Sequence, residues 1–160
     1  MIKIEETKDS EIVTKILSDN TLFHASMDDE DIRQFEQGVW QPSFQGWRYL
    51  HIMVDGKDAA IVRWHYFTPI TIGVHWHLLP KFWGTGISDE INKEVDAWFE
   101  ENTQALKLTT QVPYCLENIW RAVVRGGFRP DGIMAKATIW RDQIEDVVIL
   151  SKFLNREYNG

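Results

Sequence analysis

The chain has 160 residues, of which 44% are hydrophobic and 12% aromatic, enough for one domain with a substantial core. Its 24 acidic and 17 basic residues give a net charge of −7, which disfavours nucleic-acid binding and suits an amine-bearing partner. The single cysteine, the early acidic residues and the lack of a long apolar run predict a cytoplasmic protein with no disulfide, signal peptide or membrane contact.

The first half of the chain predicts four strands and two helices. Asp9 or Ser10 can cap a helix that carries apolar residues on one face. The acidic run 28–31 suits the start of a second helix, because the helix dipole favours negative charge there. Alternating or continuous apolar runs predict strands at residues 2–6, 47–54, 59–66 and 71–78.

The second half predicts two more helices and three more strands. A helix running from Gly86 to about Glu101 carries an apolar stripe, and a shorter one spans 117–125 before a Gly-Gly pair. Strand-like runs lie at residues 106–112, 128–140 and 144–152. The resulting order, β-α-α-β-β-β-α-β-α-β-β, indicates one α+β domain over residues 1–155, followed by a loose tail at 156–160.

The turn between the fourth strand and the long helix is the most informative segment. It reads Trp83-Gly84-Thr85-Gly86-Ile87-Ser88 and opens directly into the helix. A glycine-bearing turn at a helix start presents free N–H groups to one point, which favours binding of a phosphate or pyrophosphate. The alternative is a plain connection that needs glycine only for its geometry.

The element order and this turn resemble the GCN5-related N-acetyltransferase (GNAT) superfamily over about residues 2–152. That family's pyrophosphate loop reads Arg/Gln-x-x-Gly-x-Gly/Ala, so Gly86 matches, whereas Trp83 and Ser88 depart from the pattern. The helix containing Asn118 and ending in Gly127-Phe128 is similar to a second family block. The small, tryptophan-rich chain also resembles GNAT-like proteins encoded by bacteriophages.

The resemblance implies a specific architecture. It predicts a GNAT fold with a central mixed, mostly antiparallel sheet of six to seven strands. About four helices would flank this sheet, and strands four and five would splay apart.

The resemblance also implies acetyl-CoA as cosubstrate and an amine of a small molecule or protein as acceptor. Backbone groups of the fourth strand and the loop would hold the cosubstrate, with further contacts from the following helix. The implied cosubstrate-binding residues are Leu78, Trp83, Gly84, Thr85, Gly86, Ile87, Ser88, Asn118 and Arg121. A solvated basic face is the alternative interpretation of Arg121. An edge strand near the C-terminus could support a homodimer.

Acetyl transfer needs a group that removes a proton from the amine and a group that protonates the leaving thiolate. His75 and His77 lie two residues apart on one strand, so both side chains point to one face, and imidazole suits the base role. The alternatives are packing at the sheet surface or, with His65, a metal site, and we predict no metal. The family's tyrosine acid is replaced by Val123, which leaves Tyr114 as a substitute.

Two functions therefore remain open. One is an N-acetyltransferase acting in the cytoplasm of a bacterium or a phage-infected host. The other is a catalytically inactive GNAT-fold protein with a binding or structural role, for example in a phage virion or in host interaction. Trp83, Ser88 and Val123 favour the second, and Gly84, Gly86 and the histidines favour the first.

Overall fold

A computed structural model of the protein describes residues 1–157. Its strands are β1 (Ile2–Thr7), β2 (Arg48–Val54), β3 (Lys57–Thr68), β4 (Thr71–Leu78), β5 (Lys107–Pro113), β6 (Arg129–Trp140) and β7 (Gln143–Phe153). Its α-helices are α1 (Ser10–Leu17), α2 (Asn20–Ser26), α3 (Asp29–Glu36), α4 (Ile87–Asn102) and α5 (Glu117–Arg125). None of the helices in these residues is long and apolar enough to cross a membrane.

The seven strands form one open mixed sheet in the order β1-β2-β3-β4-β5-β7-β6. Every neighbouring pair is antiparallel except β4 and β5, which run parallel. Together with the helices on its faces, this sheet confirms the predicted α+β architecture and its mixed, mostly antiparallel character.

Apolar residues fill both faces of the sheet. On one face, α4 contributes Ile91, Val95 and Phe99 to a cluster that includes the fully buried Trp64. On the other face, α1 and α2 pack Val13, Ile16, Leu17 and Phe23 against Tyr49 and Ile61. The sheet therefore lies between two helical layers, with α1–α3 on one side and α4 and α5 on the other.

Among residues 1–157, α2 is the one α-helix that the sequence pattern did not predict. Its seven residues are too short to show a helical period, and they include polar residues of modest helix propensity. The Asp19 carboxylate caps it by accepting a hydrogen bond from the Leu22 N–H at 2.9 Å. Burial of Leu22 and Phe23 supplies the remaining stabilisation, which is a tertiary effect.

The parallel pair β4–β5 separates soon after it begins. Three residue pairs join the strands, namely Thr71–Lys107, Ile72–Leu108 and Gly73–Thr109. Beyond Gly73, β4 keeps β3 on one side and has no strand partner on the other within the described residues. The predicted splay of strands four and five is thus confirmed, and it leaves backbone groups of β4 available to a ligand.

The predicted tail begins at the end of the described chain. The Arg156 guanidinium donates to the carbonyl oxygens of Glu100 and Thr103, at the end of α4. Residues 158–160 of the predicted tail lie outside the described residues.

The turn between β6 and β7 contacts the start of α3. The Asp29 carboxylate accepts from the backbone N–H groups of Arg141 and Asp142 at 3.0 and 2.9 Å, and from the Arg141 guanidinium at 2.8 Å. These bonds lower the pKa of Asp29 below its ordinary value of 3.8, the bond from Asp142 most of all. The acidic run therefore does more than begin α3, because Asp29 also fixes a turn distant in the sequence.

We expect Asp29→Asn to destabilise the protein at neutral pH. A carboxyl group whose folded pKa is lowered stabilises the fold above its unfolded pKa, and this stability is lost as pH falls through the folded value. Thermal unfolding at pH 7 should show a melting temperature lower by about 2–4 °C. The difference from wild type should shrink below about pH 4. Asp142→Asn is the control, because Asp142 contributes only its backbone to this contact; an equal loss in the control would contradict the assignment.

Candidate active site

The loop between β4 and α4 gathers unpaired backbone donors. Gly84 and Gly86 adopt left-handed conformations, with φ of 68° and 83°, and Gly86 is the N-cap of α4. Within residues 1–157, the N–H groups of Gly84, Gly86 and Ser88 have no hydrogen-bond acceptor. The N–H groups of Thr85 and Ile87, by contrast, face loop oxygens at 3.4 and 3.5 Å. The free donors at the positive end of α4 form an anion-binding geometry.

Trp83 does not cover this loop at Gly86. A Cβ placed on Gly84 or Gly86 would meet no atom within 4 Å apart from their chain neighbours. The Trp83 indole instead turns back to β4, where its N–H donates to the Leu78 carbonyl oxygen at 2.7 Å. The loop is therefore open to a ligand, whereas the carbonyl at the end of β4 is already engaged.

His75 lies on the sheet face covered by α1–α3. It pairs in register with Arg63 of β3, and its ring centroid is 5.6 Å from that of Trp47. Its side chain keeps some accessible surface although protein atoms surround it closely. Burial lowers the pKa of His75 to about 3, and the charge of Arg63 acts in the same direction. The imidazole is therefore neutral at physiological pH and can accept a hydrogen bond.

His77 is committed to the protein interior. Its side chain is 3% exposed, and its Nδ1 lies 3.1 Å from the Ser26 hydroxyl of α2. Because that hydroxyl donates to the Leu22 carbonyl oxygen, its oxygen accepts from His77 Nδ1–H. Nε2 then carries a lone pair and has no partner among the described residues. Burial holds the pKa of His77 well below its ordinary value, and the contact ties β4 to α2.

Two further residues of this region, Arg63 and Trp47, were not predicted. The Arg63 guanidinium stacks on the Trp47 ring at 4.4 Å, and the same ring lies 4.4 Å from His65. His65 packs over Gly73, where a Cβ would come within 2.6 Å of its ring. The sequence contains a signal for Arg63. Arg63 and His65 are two residues apart on β3, as His75 and His77 are on β4, and Arg63 pairs in register with His75.

The remaining predicted residues lie at the other side of the splay. Tyr114 follows β5, is half exposed and stacks on Trp120 with ring centroids 6.1 Å apart. Asn118 is exposed on α5, and Arg121 pairs with Glu117 one turn earlier at 2.5 Å. Burial, reinforced by a nearby glutamate, raises the pKa of Cys115, so its thiol is protonated at neutral pH.

The three histidines of this face do not combine into a metal site. No group of three or more histidine, cysteine, aspartate or glutamate side chains within residues 1–157 is arranged to hold a metal ion.

No protein-family model and no curated protein matches the sequence. Solved structures match it over nearly its whole length. A GNAT-family acetyltransferase from Streptococcus pneumoniae is 16% identical at a TM-score of 0.69, covering 97% of this chain and 100% of that one. A spermidine N-acetyltransferase from Vibrio cholerae in complex with CoA and spermine is 8% identical at a TM-score of 0.72, covering 96% and 95%. A ribosomal L7/L12 alpha-N-protein acetyltransferase in complex with coenzyme A is 12% identical at 0.71, covering 96% and 94%.

At these identities the likeness is one of fold. The chain has the GNAT fold, as the resemblance of its loop and element order implied. The proteins that share this fold include acetyltransferases whose structures contain coenzyme A.

Proposed function

We propose that this protein is an N-acetyltransferase that moves an acetyl group from acetyl-CoA directly to an amine. The observation that carries the proposal is the set of unpaired N–H groups at Gly84, Gly86 and Ser88, directly beside the splay of β4 and β5. Such a combination offers a pyrophosphate site and, next to it, free strand edges along which an extended pantetheine arm can pair.

In this proposal the loop binds the pyrophosphate and the edge of β4, up to Leu78, binds the pantetheine arm. Trp83, Thr85 and Ile87 shape the loop. Asn118 and Arg121 on α5 contribute further polar contacts, and Arg121 reaches a phosphate only by leaving Glu117. Because that ion pair is exposed, its loss costs little and does not prevent the exchange.

The reaction balances as a simple acyl transfer. The neutral amine nitrogen attacks the acetyl carbonyl carbon, the carbon–sulfur bond breaks, and the CoA thiolate takes up a proton while the amine loses one. We assign the donor of that proton to Tyr114, at the end of β5. His75, with its pKa near 3, accepts a hydrogen bond from the neutral amine and orients it, and water carries away the proton. His77 holds β4 against α2 through its contact with the Ser26 hydroxyl.

Net negative charge supports a positively charged amine as the acceptor, and the cytoplasm is the compartment we propose. A homodimer would use the edge strand β6, whose outward residues include the exposed Ile133 and Ile139.

A second candidate function is a GNAT-fold binding or structural protein without catalysis, such as a phage virion component. The Trp83 indole favours it, because this side chain already occupies the Leu78 carbonyl at the end of β4. The valine at position 123, where the family has its acid, acts in the same direction.

Isothermal titration with acetyl-CoA, compared with S-acetylpantetheine, tests the proposal. We expect micromolar binding of acetyl-CoA and binding of the phosphate-free thioester weaker by about a hundredfold, because several charge-assisted hydrogen bonds are lost. Absence of binding at millimolar acetyl-CoA would refute the enzyme and leave the binding protein as the explanation.

A further inference from the structure

Arg63 is a partly buried arginine without a protein partner. Among the arginines of residues 1–157, only Arg63 and Arg156 are partly buried, and Arg156 donates to two carbonyl oxygens. No ion pair or hydrogen bond within the same residues involves the Arg63 side chain, and its enclosed Nε has no acceptor. A guanidinium in this position normally has an oxygen partner, and no protein oxygen of the described residues supplies one.

The surroundings hold the guanidinium in place for such a contact. Its central carbon lies over the Trp47 ring, 4.4 Å from the ring centroid, a cation–π contact that restrains the guanidinium and leaves its N–H groups without a protein acceptor. It faces His75 across the β3–β4 pair, at the level where β4 has just separated from β5. Arg63 is therefore one strand spacing, about 5 Å, from the edge on which the acetyl group would react.

The local charge favours an anion. Within residues 1–157 no carboxylate forms an ion pair with Arg63, and its positive charge acts with burial to lower the pKa of His65, His75 and His77. The carboxylate of Asp31, which also senses this charge, accepts instead from the Trp40 indole at 3.0 Å. A carboxylate would match the fork of donors on the guanidinium.

We propose that Arg63 binds the carboxylate of the acceptor, and that the acceptor is a small amino acid. Its amine would lie at His75 on β4 and its carboxylate one strand away, on Arg63. A polyamine has no group for Arg63 and is repelled by it. This inference rests on the acetyltransferase function proposed above and specifies the substrate class of the same site.

The test measures CoA release with the twenty common amino acids, with the amide of each accepted acid, and with spermidine. In wild-type protein we expect the acids to be acetylated with a kcat/KM about tenfold or more above that of their amides. Arg63→Met should lower kcat/KM for the acid by about the same factor, mostly through KM, and leave the value for the amide unchanged. Arg63→Lys should recover part of the loss.

Arg48→Met is the matched control. Arg48 stacks on Trp64 at the same 4.4 Å but pairs with Glu6, so its removal reproduces the loss of a stacked arginine away from the site. Arg63→Met should melt close to the wild-type temperature, since Arg63 has no ion pair or side-chain hydrogen bond within residues 1–157 and the methionine side chain can replace its contact with the Trp47 ring. It should also keep the wild-type affinity for acetyl-CoA.

The outcomes distinguish failure of the acetyltransferase function from failure of the role proposed for Arg63. Failure to bind acetyl-CoA refutes the proposed function and this inference with it. If acetyl-CoA binds, three results would each refute the inference alone. These are that no amino acid is acetylated, that amides or spermidine react with a kcat/KM equal to that of the acids, or that Arg63→Met lowers kcat/KM equally for acid and amide.

Discussion

Replacing Gly86 with alanine is expected to weaken acetyl-CoA binding by at least tenfold, about 1.4 kcal/mol, while the protein stays folded. Apart from its chain neighbours, the added Cβ meets no protein atom within 4 Å, so in the proposed complex it would face the pyrophosphate. Alanine also resists the φ of 83° that aims the loop N–H groups, at a cost of about 1–2 kcal/mol. Isothermal titration and thermal unfolding of the same sample measure the two effects separately.

Gly56→Ala is the matched control for backbone strain. Gly56 has a φ of 74° and equally open surroundings, but it lies in the turn between β2 and β3, away from the loop. Both variants should lose similar stability, and only Gly86→Ala should lose affinity. Equal affinities in the two variants would show that the loop N–H groups do not bind the cosubstrate.

The strands and long helices could be predicted because their signals are local. The bounds of β4 and α5 agree with the sequence pattern to the residue, and α4 follows its apolar stripe. The loop at Gly84 and Gly86 could be predicted for the same reason, since a left-handed turn at a helix start depends on glycine at those positions.

The contacts between distant segments could not be predicted in this way. Asp29 holds a turn more than a hundred residues away in the sequence, and nothing local distinguishes it from its acidic neighbours. The surroundings of Arg63 are likewise tertiary, because the hairpin register places it opposite His75 and the loop before β2 brings in Trp47. Burial of the histidines is also a tertiary property, so the lowered pKa values of His75 and His77 could not be read from the sequence.

The burial of His75 has a large consequence for stability in mild acid. In the unfolded chain a histidine takes up a proton near pH 6.5, whereas in the folded protein the pKa of His75 is about 3. Between these values the unfolded state binds more protons, so stability falls as pH falls. His77, whose pKa is also well below its ordinary value, adds to the effect. We expect unfolding free energy to decrease by about 1.4 kcal/mol per pH unit for each histidine below pH 6.5.

Urea unfolding of wild type and His75→Gln at pH 7, 6 and 5 measures this contribution. Glutamine keeps a polar side chain but cannot be protonated, so the variant should lose less stability on acidification, by about 2 kcal/mol at pH 5. Parallel curves for wild type and His75→Gln would mean that the pKa of His75 is the same in the folded and unfolded protein, so that its imidazole is neutral and of ordinary basicity at pH 7. His75 would then be available as the general base, and the proton would pass to imidazole instead of water.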